Sequence, residues 1–124
     1  MSIASLKKAI KMKLMPKRKA QIDYLRKNIE KLDADFLKIL KKRFLLSQKI
    51  SLLKQKAHLK VYQPQREKAI LKKYLQKAKN IRISRQLVRT IFQSIFQQSR
   101  KKQLKIRKQH ASRRIAPAKK RPLL

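Results

Sequence analysis

Between Lys17 and Gln63 the chain runs without a proline, and the whole sequence contains no glycine. Within that stretch apolar residues fall at Ile22, Leu25, Ile29, Leu32, Phe36 and Ile39, then at Leu46, Ile50, Leu53 and Ala57, in steps of three and four. That spacing puts them on one stripe of a single helix beginning near Ala20. At 1.5 Å per residue, about 38 residues make a rod of roughly 57 Å. A compact domain of 124 residues has a diameter of only ~26–28 Å. Such a helix must project, and its apolar stripe then needs a partner. A homodimer is the expectation from length alone.

Two further helices follow. Pro64 suits a first helical turn, and Ile70, Leu71, Tyr74, Leu75 and Ala78 recur at helical spacing, which predicts a helix over about 64–79. Residues 80–83 read as a turn and Ser84 as an N-cap. A third helix is expected over about 85–108, with Val88, Ile91, Phe92, Ile95 and Phe96 on its buried side. The fold class is therefore all-α, three helices (long, short, long) in an intertwined homodimer. The expected organisation is a basic extension over 1–19, a helical domain over 20–108, and a basic, disordered tail over 109–124, where Pro117 and Pro122 lie among clustered Arg and Lys.

Composition removes several function classes. Without cysteine there is no disulfide or thiolate metal site. Without glycine there is no phosphate-cradling loop and no dinucleotide fingerprint. His58 and His110 lack any helical metal-ligand spacing, so no metal is expected. The net charge is +33, and all five acidic residues (Asp23, Glu30, Asp33, Asp35, Glu67) lie between positions 20 and 99. That charge favours nonspecific binding of polyanions whatever the chain's main role. No apolar run reaches the ~20 residues that span a bilayer, and lysines interrupt the start where a secretory signal needs its apolar stretch. No membrane association is expected, and a cytoplasmic location is.

Certain polar residues fall where apolar ones are due. The step after Ile39 on the first stripe lands on Arg43, and Lys54 follows eleven residues later on nearly the same face. Two such cations, with Cα atoms ~16 Å apart along the axis, could reach towards a small ligand between them. On the third helix the face that carries Phe92 and Phe96 continues to Ser99 and Gln103. Arg66 and Glu67 open the second helix, where the helix dipole favours a glutamate in any case.

These residues, in this order, resemble the all-helical chorismate mutase family. The resemblance is carried by Ile22–Arg26 through Leu32-Asp33, then by Lys42-Arg43-Phe-Leu-Leu, Ile50-Ser-Leu-Leu-Lys54, Val61-Tyr-Gln-Pro-Gln-Arg66-Glu67 and Ile91–Ser99, ending at Gln103. It covers about residues 20–105 without a gap. It implies conversion of chorismate to prephenate in aromatic amino acid biosynthesis, with no cofactor. Position by position, it implies that Arg26 and Arg43 bind the substrate's two carboxylates. Lys54 and Gln103 would donate to the ether oxygen of the breaking C–O bond. Glu67 would accept from the ring hydroxyl with Arg66 nearby, and Ser99 would touch a carboxylate. The family often has Asp where this chain has Gln63, so a hydroxyl contact there survives only if the backbone makes it. Ser51 likewise stands where tight glycine-containing variants are common.

The chemistry agrees with the residue types. An arginine fork suits carboxylates, and an intramolecular rearrangement needs no nucleophile, metal or proton transfer. Holding a compact conformer and preplacing donors where negative charge grows is enough. Arg26 lies 28 residues before Lys54, or ~42 Å along a rod, so both can serve one site only if Arg26 comes from the partner chain. Two alternatives stand beside the mutase: a basic helical nucleic-acid-binding protein, and an isochorismate pyruvate-lyase on the same scaffold.

Overall fold

The structure, a computed structural model, describes residues 2–14 and 17–120 and is helical almost throughout. Its helices are α1 (Ile3–Lys13), α2 (Arg18–Lys56), α3 (Pro64–Asn80) and α4 (Arg85–Lys120). The long helix of the sequence reading is α2, the short one α3, and the third is α4. Two differences stand out. There are four helices among the described residues, because the basic extension folds a helix of its own. Ser2 caps α1 by accepting from the Ser5 amide at 3.1 Å, and Ile3, Leu6 and Ile10 share one of its faces. The last helix also does not stop near 108. It continues to Lys120 through a stretch rich in Lys, Arg, Gln and Ala, all good helix formers. Positions 121–124 of the expected tail lie outside the described residues.

The chain divides into two compact units, ending at Lys42 and beginning at Arg43, with α2 running through both. In the first, the Gln21 amide donates to the Met12 carbonyl at 3.4 Å, and the Lys11 ammonium lies 5.2 Å from the Tyr24 ring centre. Those contacts turn Gln21 and Tyr24 inward. The apolar stripe of Ile22, Leu25, Ile29, Leu32, Phe36 and Ile39 is exposed.

The second unit holds the end of α2 with α3 and α4. The turn at 81–84 folds α3 and α4 into a hairpin of helices that pack on one another. Tyr74 and Phe92 meet with ring centres 4.6 Å apart, and Phe92 and Phe96 at 6.2 Å. Val61, Ala78, Ile95 and Phe96 form the buried apolar core. As expected, Ser84 caps α4, its Oγ accepting from the Leu87 amide at 3.2 Å. Lacking glycine, the chain ends α2 and α3 with His58 and Arg82 in the left-handed region, at φ of 57° and 60°. Each turn is closed by a six-to-one bond, from the Leu59 amide to the Lys54 carbonyl and from the Ile83 amide to the Ala78 carbonyl.

The face that α2 turns towards α4 is not its apolar stripe. Leu46, Ile50 and Leu53 are exposed, whereas Ser47 and Ser51 are buried, Ser51 completely. Small hydroxyl side chains let the helices approach with their polar atoms satisfied. Ser51 Oγ donates to the Gln103 carbonyl at 3.3 Å.

Candidate functional site

Arg43, Ser47, Ser51 and Lys54 follow one another at steps of four, four and three, so they form a single polar line down the end of α2. Opposite it, α4 presents Ser99, Arg100 and Gln103, while the first turn of α3 brings Arg66 and Glu67. A cleft of about 280 Å³ opens among them, near the lower end of the ~300–1,000 Å³ usual for small-molecule sites. Seven of the eight site residues expected from sequence line it: Arg43, Lys54, Gln63, Arg66, Glu67, Ser99 and Gln103. The eighth, Arg26, belongs to the first unit, where it is exposed and lies 3.9 Å from Asp23.

The groups are held in specific ways. Arg43 Nη1 donates to Ser99 Oγ at 3.4 Å, and its guanidinium stands 5.6 Å from the Phe96 ring centre. Lys54 Nζ donates to the Val61 carbonyl at 3.1 Å and reaches Gln103 Oε1 at 3.5 Å. The Gln103 amide is buried, and its Nε2 donates to both Ser47 O, at 3.1 Å, and Ser47 Oγ, at 2.6 Å. Gln103 is thus locked from one side by Ser47 and approached from the other by Lys54. Gln63 is half-buried and stands at the N-cap of α3 without a side-chain cap bond.

Charge is unbalanced. Arg43, Lys54, Arg66 and Arg100 line the cleft against one carboxylate, Glu67, which pairs with Arg100. Burial pushes the Lys54 ammonium below the ordinary lysine range, Arg107 and Arg66 push it further, and Glu67 opposes them. Such a cleft suits an anion with more than one negative charge, because each carboxylate that enters relieves repulsion among the cations.

Sequence reasoning misses Ser47, Arg100 and Arg107, and sees Ser51 only as a residue standing where glycine is common. The two serines show no role in the sequence because theirs is to be small, although their register with Arg43 and Lys54 is a signal that could reveal it. Arg100 hides among the many cations of the chain. Arg107 lies half-buried against the end of α2, where it donates to the Leu59 carbonyl at 2.8 Å and to the Ser51 carbonyl at 3.5 Å. His58 and His110 line one cleft with Gln55, despite their distance in sequence, and no third acidic or histidine ligand joins them among the described residues.

The family model for chorismate mutase type II matches residues 25–104, which takes in every residue lining this cleft and Arg26 as well. No curated protein and no solved structure matches the chain. A match over most of the helical region, at the residues that build the cleft, places the chain in the chorismate mutase type II family, isomerases that convert chorismate to prephenate.

Proposed function

We propose that the cleft binds chorismate and lowers the barrier to its rearrangement by conformer selection and electrostatic stabilisation, without covalent chemistry. The observation that carries this reading is the composition of the lining: four cations and one carboxylate around a space of small-molecule size. The substrate is a dianion. Arg43, steadied by Ser99 and Phe96, takes one carboxylate. Arg66 stands beside Glu67 at the mouth of α3, and Glu67 accepts from the ring hydroxyl. Gln63 contributes its backbone there, since an amide side chain cannot replace a carboxylate acceptor's charge.

In the rearrangement the ether C–O bond breaks while the enolpyruvyl methylene carbon bonds to the ring. No proton moves and no group leaves. Negative charge gathers on the ether oxygen in the transition state, so a donor fixed there before reaction stabilises it at no cost in reorganisation. Lys54 is the principal donor. Its ammonium has three N–H groups, two of them engaged by Val61 O and Gln103 Oε1, which leaves one for the substrate. Gln103 joins by releasing Ser47 Oγ, because both of its amide hydrogens are otherwise occupied.

The second carboxylate falls to the partner subunit's Arg26. The exposed stripe from Ile22 to Ile39 supports a homodimer built on the first part of α2, since an apolar row of that length in water needs covering. Each dimer then holds two sites, each completed by the other chain. A biosynthetic enzyme of this kind fits the cytoplasm.

The test follows the ultraviolet absorbance of chorismate with identification of the product, on the wild-type chain and on Lys54→Ala. Prephenate from the wild type and a large loss in the variant are expected. Pyruvate released from isochorismate, with chorismate untouched, would instead establish the lyase. Failure to turn over either compound, together with tight binding of nucleic acid that persists at high salt, would establish the binding-protein alternative.

A further inference from the structure

We propose that Arg100 is a positioning residue of the cleft: it captures Glu67 from α4 and so keeps the one carboxylate of the lining from closing on Lys54. This rests on the role just given to Lys54, and no site residue expected from the sequence predicts it. Arg100 follows Ser99 and precedes Gln103 by three, so it lies at the edge of the α4 face that lines the cleft. Its Nη1 pairs with Glu67 Oε1, with both side chains roughly three-quarters buried. From behind, its guanidinium rests 4.6 Å from the Tyr62 ring centre. A cation held between a carboxylate and an aromatic face has few other places to go.

The need for such a clamp follows from the charges around it. Lys54 faces Arg66 and Glu67 from α3 and Arg107 from α4, and Arg43 of α2 and Arg100 of α4 line the same cleft. Glu67 is the one anion among them, and its pull on Lys54 is already felt. Lys54 is otherwise tied to two neutral acceptors, and its third N–H is unspent. An unrestrained Glu67 would take that N–H and form an internal ion pair where the ether oxygen should sit. Arg100 occupies Oε1 instead, and Oε2 stays open to the substrate's hydroxyl.

The experiment is a double-mutant cycle on the full chain, using Arg100→Gln and Glu67→Gln singly and together, with Arg100→Lys as a rescue. Two quantities are read. One is the apparent pKa of Lys54, from competitive acylation with acetic anhydride across pH and mass spectrometry of the peptide. The other is kcat and KM for chorismate. With Glu67 intact, Arg100→Gln is expected to raise the Lys54 value by ~1 unit, as a carboxylate arrives within ion-pair distance. In the Glu67→Gln background the same change moves it by no more than a few tenths. In turnover, Arg100→Gln lowers kcat about tenfold or more with a smaller change in KM, and Arg100→Lys recovers part of it. Equal shifts of Lys54 in the two backgrounds, or none in either, overturn the proposal. Acylation needs no substrate, so a wild-type chain inert towards chorismate would sink the mutase reading while the cycle still decides the role of Arg100.

Discussion

Replacing Lys54 with methionine separates catalysis from stability. The side chain keeps its length and loses its charge. What disappears is a charge-assisted bond to the Val61 carbonyl at 3.1 Å and a long contact with Gln103 at 3.5 Å. The first is worth ~1.5–3 kcal/mol and the second little. Against that stands the relief of a cation that burial, Arg107 and Arg66 all disfavour. These effects oppose each other, so the net change in stability should stay within ~1 kcal/mol, or ~4–8 °C in Tm for a domain of this size. Activity behaves otherwise. Removing one preplaced donor to developing charge costs ~10²–10³ in kcat, or ~2.7–4 kcal/mol. Circular dichroism melts and the chorismate assay on the same preparation measure both. A kcat within tenfold of wild type would refute the donor role. A collapse of Tm by much more than ~8 °C would show that Lys54 mainly holds the fold.

The same ammonium sets a pH dependence. Its pKa in the free enzyme lies below the ordinary 10.5, so kcat/KM should fall on the alkaline side before an ordinary lysine titrates. A bound dianion restores the charged form, so the limb in kcat should lie at higher pH than the limb in kcat/KM; coincident limbs would contradict this. For stability the sign is reversed. Charged Lys54 is disfavoured in the folded chain, so its contribution improves as pH rises through the folded value towards 10.5, and Lys54→Met should remove that slope. Mixing Arg26→Ala with Lys54→Ala chains should restore about one intact site per heterodimer, read as recovered turnover; no recovery would count against sites shared between chains. Arg82→Gly should stabilise the chain by ~0.5–1 kcal/mol in denaturant titration, because glycine takes the left-handed turn after α3 without the cost a β-carbon brings.

Much of the fold is legible in the sequence because helices declare themselves locally. The three-four spacing, Pro64 at the start of α3 and Ser84 before α4 act over a few residues, and the structure puts them where the spacing predicts. The short helix of the N-terminal extension is not legible, since a basic run reads equally well as solvated chain, and Pro117 within the stretch and Pro122 just after it disguise the helical course of 109–120.

The site divides along the same line. Residue type and register single out Arg43, Ser99 and Gln103, because charged or hydrogen-bonding groups on faces otherwise meant for packing are costly unless something meets them, whereas Lys54, Arg66 and Glu67 gain their meaning from the family resemblance. Tertiary structure decides what meets them. Only the packing of α2 on α4 shows that Ser47 and Ser51 make the approach possible, that Ser47 locks the Gln103 amide, and that Arg107 lies near Lys54. Only the packing of α3 on α4 gives Glu67 to Arg100 rather than to one of the other cations. Periodicity assigns a residue to a face, but the partner a buried charge finds depends on distances between helices far apart in sequence, and those exist only once the chain has folded.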